Sequence, residues 1–223
     1  NSGDNNIQAA FILAECNDIV RAGAHAERAI AINHQSAEAW RALGNVRLRQ
    51  GRLQEAESCL QNALALNPQP ATQCLRKLGW ILRAAGRLTD SIAVFRQAAD
   101  SEPDDSVGWL ELAEVLSLNA DIASGVEAVC CALEARPDWS DAKLMKARLL
   151  AASGSSNWSE AASICSALLR RRECAPDAAR VLMELAAQGS SHARQSLQLL
   201  SRARRREAYH AALEQAQARS THG

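Results

Sequence analysis

The stretch EAWRALGNVRLRQGRLQEAESCLQNALALNP, Glu38 to Pro68, is followed by a second of the same design, CLRKLGWILRAAGRLTDSIAVFRQAADSEP, Cys74 to Pro103. Each holds Leu-Gly, then Gly-Arg-Leu, then an Ala-rich amphipathic run closed by proline. A third copy, GWLELAEVLSLNADIASGVEAVCCALEARP from Gly108 to Pro137, keeps the frame. Pro68, Pro103 and Pro137 recur at a nearly constant interval, Pro176 follows after a slightly longer one, and Trp40 and Trp109 stand two intervals apart. A fixed period of this size marks an array of similar small units. One such unit cannot bury its own apolar face, so the units must stack.

Composition agrees with a helical array. Of 223 residues, 48% are hydrophobic but only 4% aromatic, so the apolar mass is Ala and Leu, which form and pack helices. Lys+Arg and Asp+Glu each number 25, giving zero net charge. That balance argues against a dedicated nucleic-acid-binding domain, which carries a basic footprint. No run approaches the ~20 consecutive apolar residues that span a bilayer. The first residues carry no basic segment, so no signal peptide is expected. Cysteines number seven, and none lies in a C-x-x-C spacing. They read as reduced thiols in a reducing, cytoplasmic setting, acting as small buried hydrophobes.

The pattern resembles the tetratricopeptide repeat, a helix–turn–helix unit of about 34 residues. One copy matches through Trp40, Leu43, Gly44, Gly51, Ala56, Leu60, Ala63 and Pro68, and the next through Leu75, Leu78, Gly79, Gly86, Ser91, Phe95, Ala98 and Pro103. The third gives Trp109, Leu112, Ala113, Ala120, Gly125, Val129, Ala132 and Pro137, with Ala120 where the earlier copies hold glycine. A degenerate first copy runs through Ala10, Leu13, Ile19, Ala22, Ala26 and Ala29. The resemblance implies an all-α, right-handed superhelical solenoid of antiparallel helix hairpins, with five to six repeats and a C-terminal capping helix. The expected organisation is a solenoid over 1–175, with repeats at about 3–36, 37–70, 72–105 and 106–139 and a degenerate one at 140–175. Residues 176–223 would form a degenerate sixth hairpin and the cap, with Glu207–Arg219 as the last helix.

The residue types suit that geometry. Gly44, Ala56 and Ala63 stand where helices approach to about 8–10 Å, so small side chains are needed. Gly51 and Gly86 supply the tight turn, where positive φ is required. Each proline ends one hairpin and begins the passage to the next.

No catalytic motif accompanies the repeat. The three lysines, Lys77, Lys143 and Lys146, do not follow glycine in a phosphate-binding loop, and G-x-G-x-x-G and H-E-x-x-H are absent. The five histidines are too dispersed for a helical metal pair. Adjacent Cys130 and Cys131 read as packing residues. The expectation is therefore no enzyme, no metal, no cofactor and no small-molecule substrate.

By the same resemblance, the first helix of each hairpin lines a concave groove. The expected binding residues are Arg41, Asn45, Arg76, Lys77, Trp80 and Arg83. Arginine suits a carboxylate because its planar fork binds it with two hydrogen bonds. Arg41 and Asn45 fit the first two places of the carboxylate clamp of chaperone co-factors, but Lys77, Val107 and Glu111 do not continue it. Two other roles stay open at this point. The arginines can pair with neighbouring acids, and Trp80 can pack between helices instead of anchoring a ligand. The basic runs Arg170–Arg172 and Arg202, Arg204, Arg205, Arg206 are set against nucleic acid by the neutral total charge.

The function expected is a non-enzymatic scaffold whose partner is another protein, held through an extended acidic or carboxylate-bearing segment. The alternatives are a recognition arm of a larger glycosyl-, sulfo- or methyltransferase, and a self-assembling homo-oligomer.

Overall fold

A computed structural model of the chain describes residues 2–67, 71–169, 171, 175–199 and 201. The described residues contain the eleven α-helices given below, a further helical stretch at 191–199, one short 3-10 turn and no strand. Pro68, Pro70, Arg170, Arg172, Cys174 and everything beyond Ser201, including the expected helix at Glu207–Arg219, lie outside them. The chain divides into two compact units, Asn1–Asp121 and Ile122–Gly223.

The first unit is a run of seven helices of nearly equal length: α1 (Ser2–Glu15), α2 (Ile19–Ile32), α3 (Ala37–Arg49), α4 (Leu53–Ala65), α5 (Thr72–Ala84), α6 (Leu88–Ser101) and α7 (Ser106–Leu118). The pairs α1–α2, α3–α4 and α5–α6 form hairpins, and α2 packs on α3, α4 on α5 and α6 on α7.

One device ends α1, α3, α5 and α7. Asn17, Gly51, Gly86 and Ala120 have φ of 63°, 73°, 76° and 59°. At each, the next residue's N–H reaches back to a carbonyl five residues earlier: Asp18 to Leu13 at 2.8 Å, Arg52 to Arg47 at 2.9 Å, Arg87 to Leu82 at 2.9 Å and Asp121 to Leu116 at 3.0 Å. This is the Schellman arrangement, which satisfies carbonyls the helix end would otherwise leave unpaired. The sequence pattern expects glycine at two of these turns. The structure adds Asn17, tolerated because Asn adopts the left-handed region readily, and Ala120, which holds it against the steric preference of its Cβ.

Between the helices of a hairpin, backbone meets side chain directly. A Cβ on Gly44 would lie 3.0 Å from Leu60, and one on Gly79 would lie 2.7–2.9 Å from the Phe95 ring. Leu60 and Phe95 are fully buried in the space these glycines leave, beside buried Ala56, Ala63 and Ala98. Ser91, at the register position of Ala56, is also buried, and its hydroxyl donates to the Gly79 carbonyl at 2.8 Å. Trp40 and Trp109 tie each hairpin to the loop before it. Their indole N–H groups donate to the His34 carbonyl at 2.8 Å and the Pro103 carbonyl at 2.9 Å. Ser36 and Asp105 cap α3 and α7 by accepting from the Ala39 and Val107 amides.

The second unit contains α8 (Ile122–Ala135), α9 (Ser140–Ala152), a 3-10 turn at Ser155–Asn157, α10 (Trp158–Leu168), α11 (Ala175–Ala187) and further helical residues at 191–199. Its core joins Leu144, Ala147, Leu150, Cys165, Leu182 and Leu185. The 3-10 turn at Ser155–Asn157 separates α9 from α10. Trp158 after it donates its indole N–H to the Ala151 carbonyl at 3.1 Å, which fixes the start of α10. Burial pushes the Cys165 thiol up to about 11, so it stays neutral, and the six described cysteines are all free. No described helix is long and apolar enough to cross a membrane.

Candidate functional site

The repeat brings equivalent positions of α1, α3, α5 and α7 alongside one another. In that register Phe11, Asn45, Trp80 and Glu114 correspond, as do Ile7, Arg41, Arg76 and Leu110, one helical turn earlier. What each position holds then decides the chemistry of that part of the unit.

Between α1, α3 and α5 lies a cleft of about 500 Å³. From α1 it is lined by Ile7, Gln8, Phe11 and Glu15, from α3 by Glu38, Arg41, Asn45 and Arg49, and from α5 by Gln73 and Lys77. Three of these are cations, and among the described residues none of the three has a carboxylate partner. The Arg41 guanidinium lies over the Phe11 ring, 5.0 Å from its centroid, and donates to Gln73 Oε1. Arg49 donates to the Ala14 carbonyl at 2.5 Å. Lys77 Nζ donates to Asn45 Oδ1 at 2.8 Å. Burial first, then the positive charge of Arg41, with Arg49 adding to it, hold the Lys77 amine below the ordinary lysine range against a smaller opposing effect of Cys74. A partly desolvated cation whose partners are a neutral amide and other cations gains from an incoming anion.

A second cleft, of about 380 Å³, is bounded by Gln73, Arg76, Lys77, Trp80 and Glu111. Here the arginine of the lining is already matched. Arg76 grips Glu111 with two prongs, Nε to Oε2 at 2.6 Å and Nη2 to Oε1 at 2.7 Å, and reaches Asp105 at 3.5 Å. The hydrogen bond to Glu111 is the main reason the Arg76 guanidinium titrates above its usual value. Arg83 pairs with Glu114 at 2.9 Å and lies 4.4 Å over the Trp80 ring. Trp80 donates its indole N–H to Glu111 at 3.2 Å and meets Phe95 edge-on at 6.4 Å.

The six residues expected from sequence thus fall into two groups. Arg41, Asn45 and Lys77 share one cationic cleft. Arg76, Trp80 and Arg83 form a ladder to Glu111 and Glu114 on α7, so the stretch expected to be polar and basic changes character halfway along. The sequence pattern leaves Phe11 and Glu15 out of the groove, because the first copy is degenerate. The signal for Phe11 is its place one repeat period before Asn45. Arg49 shares the groove face by its spacing, one turn after Asn45, but stands outside the expected binding set.

A sequence profile of the tetratricopeptide repeat matches residues 12–71, 41–106 and 76–137. No curated protein matches the chain in sequence. Among solved structures the chain is similar to YrrB, described as a TPR protein with an unusual peptide-binding site: 18% identity, TM-score 0.67, covering 78% of this chain and 88% of that one. It is also similar to pilF of Pseudomonas aeruginosa, at 19% identity and TM-score 0.61, covering 87% and 96%. A tetratricopeptide repeat protein of Parabacteroides merdae gives TM-score 0.72 at 16% identity, covering 89% and 78%. Identities this low carry the fold alone. With three overlapping profile matches across more than half its length, and with the same turn and the same close helix contacts recurring along it, the chain belongs to the tetratricopeptide repeat family.

Proposed function

We propose that the chain is a non-enzymatic interaction scaffold that holds an extended segment of another protein through a carboxylate seated at Arg41, Asn45, Arg49 and Lys77. The observation that carries this reading is the excess of cations in the cleft between α1, α3 and α5: Arg41, Arg49 and Lys77, held by neutral partners, outnumber Glu15 and Glu38, while Arg76 of the second cleft is already matched. A carboxylate entering the first cleft meets donors that no internal acid occupies. One that seeks Arg76 in the second has to displace Glu111. YrrB's description as a protein with a peptide-binding site agrees with a peptide reading. The thiols suit a reducing, cytoplasmic setting.

Affinity of such a groove falls in the micromolar range, about −8 kcal/mol for 1 μM. Titration calorimetry with acidic peptides, compared with the same peptides amidated at every carboxylate, tests the reading. The expected result is heat from the acidic set only, with Arg41→Ala weakening binding by about tenfold or more, as a lost charge-assisted hydrogen bond requires. Equal binding of both sets, or an Arg41→Ala variant that binds as tightly as the parent, overturns it.

A further inference from the structure

The chain has three lysines, and the structure gives them two kinds of surroundings. Lys143 Nζ lies 3.3 Å from Asp138, and Lys146 Nζ lies 2.9 Å from Glu160. The hydrogen bond that Lys146 donates to Glu160 holds its amine above the usual range, so it stays protonated and unreactive. Lys77 has no carboxylate within ion-pair distance among the described residues. Its nitrogen bonds Asn45 Oδ1, and it lines both of the clefts described above. Burial and then the charge of Arg41, with a lesser share from Arg49, shift it towards its neutral form against the opposing effect of Cys74, in a cleft that Glu15 and Glu38 also line. An amine beside other cations in a partly desolvated cleft is an activated nucleophile.

The cleft supplies a seat as well as a nucleophile. A guanidinium has five N–H donors. Among the described residues Arg41 uses one on Gln73 and Arg49 one on Ala14, which leaves the others for an anion. The volume of about 500 Å³ suits a compact molecule. We propose that Lys77 is a covalent modification site for small aldehydes that carry an anionic group, with Arg41 and Arg49 holding the anion and Lys77 forming an imine.

The step balances without a further reactant. The lone pair of neutral Lys77 Nζ attacks the aldehyde carbon, and the carbonyl π pair moves to oxygen. That oxygen takes up the proton that nitrogen loses, giving a carbinolamine. Water then departs and the C=N bond forms, with no change of oxidation state. Asn45 Oδ1 accepts one N–H of the attacking amine. The inference is independent of the peptide reading, because it concerns reactivity in the absence of any partner. Where both hold, the adduct removes a cation and fills the seat, so modification closes the groove.

The test is reductive trapping on the intact chain. Pyridoxal 5′-phosphate is added at substoichiometric amounts near pH 7.5, imines are reduced with borohydride, and labelled peptides are mapped by mass spectrometry, which separates the lysines from the N-terminal amine. Label in Lys77 several-fold ahead of Lys143 and Lys146 is expected, and equal or later labelling of Lys77 overturns the proposal. The anion seat is tested by the Arg41→Gln/Arg49→Gln variant, with folding checked by circular dichroism. Each protein is labelled with pyridoxal phosphate and, separately, with uncharged formaldehyde. The ratio of the two rates at Lys77 cancels any change in the amine itself. A several-fold drop in that ratio is expected, and an unchanged ratio overturns the seat.

Discussion

Arg76 on α5 and Glu111 on α7, one repeat apart in sequence, face each other in a two-pronged ion pair of 2.6 and 2.7 Å. Glu111 is the better buried partner, with its side chain 12% exposed against 33% for Arg76. The pair joins consecutive repeats and removes Arg76 from the surface charge open to a ligand. Truncation of Arg76 is therefore expected to act on stability, by about 1 kcal/mol for a partly screened pair, and not on binding of an acidic peptide. Glu111→Gln should weaken the same junction while improving acidic-peptide affinity, since it frees Arg76. Denaturant melts and calorimetry on both variants check this. A Glu111→Gln variant with unchanged stability and unchanged affinity counts against the assignment.

The four left-handed turns allow a paired prediction. The left-handed region costs a non-glycine residue about 1–2 kcal/mol, offset in part by the tighter unfolded chain of alanine. Ala120→Gly is expected to stabilise by about 0.5–1 kcal/mol on that balance. Gly51→Ala and Gly86→Ala are expected to cost about as much, and the space around both is open, so φ alone acts there. Urea midpoints of the three variants would settle the sign. Destabilisation by Ala120→Gly is the outcome that defeats the argument.

Close approach of helices has its own test. Gly79→Ala forces a methyl to within 2.9 Å of Phe95, and Ala56→Leu fills a fully buried position beside Leu60. Each is expected to cost about 1–3 kcal/mol through overpacking. Adding Phe95→Leu to Gly79→Ala should cost less than the two single changes together, because the pair shares one contact. Strict additivity in a double-mutant cycle would show that the two residues do not meet.

Cys165 predicts alkaline behaviour. Its thiol, ordinarily near 9.0, is raised by burial to about 11 in the fold. Between those values the unfolded chain loses the proton first, so the folded state binds more protons and stability falls as pH rises. The stability Cys165 contributes is complete below pH 9 and declines towards pH 11, by roughly 2–3 kcal/mol. The difference in melting temperature between parent and Cys165→Ala should shift in favour of the variant across that window. A constant difference from pH 8 to pH 11 would rule the effect out.

The repeat is legible in the residues alone because its cause is local and periodic. Gly44, Gly79, Ala56 and Ala63 are small at fixed spacing since two helix backbones must nearly touch there, and Gly51 and Gly86 mark turns that few other residues adopt. Any chain that keeps those positions folds into hairpins whose apolar faces must stack, whatever its surface carries. The candidate site is half legible on the same grounds. Periodicity puts Arg41, Asn45, Arg76, Lys77, Trp80 and Arg83 on first helices, which fixes their face but not their partners. Which charge meets which is settled by packing in three dimensions. It places Glu111 and Glu114 against Arg76 and Arg83, and leaves Arg41, Arg49 and Lys77 with Gln73, Ala14 and Asn45. Pairing across repeats depends on side-chain reach over about 10 Å between helix axes. Spacing in sequence does not encode that reach. The electrostatic character of the candidate site therefore comes from packing, while the alignment of the helices that carry it comes from the pattern.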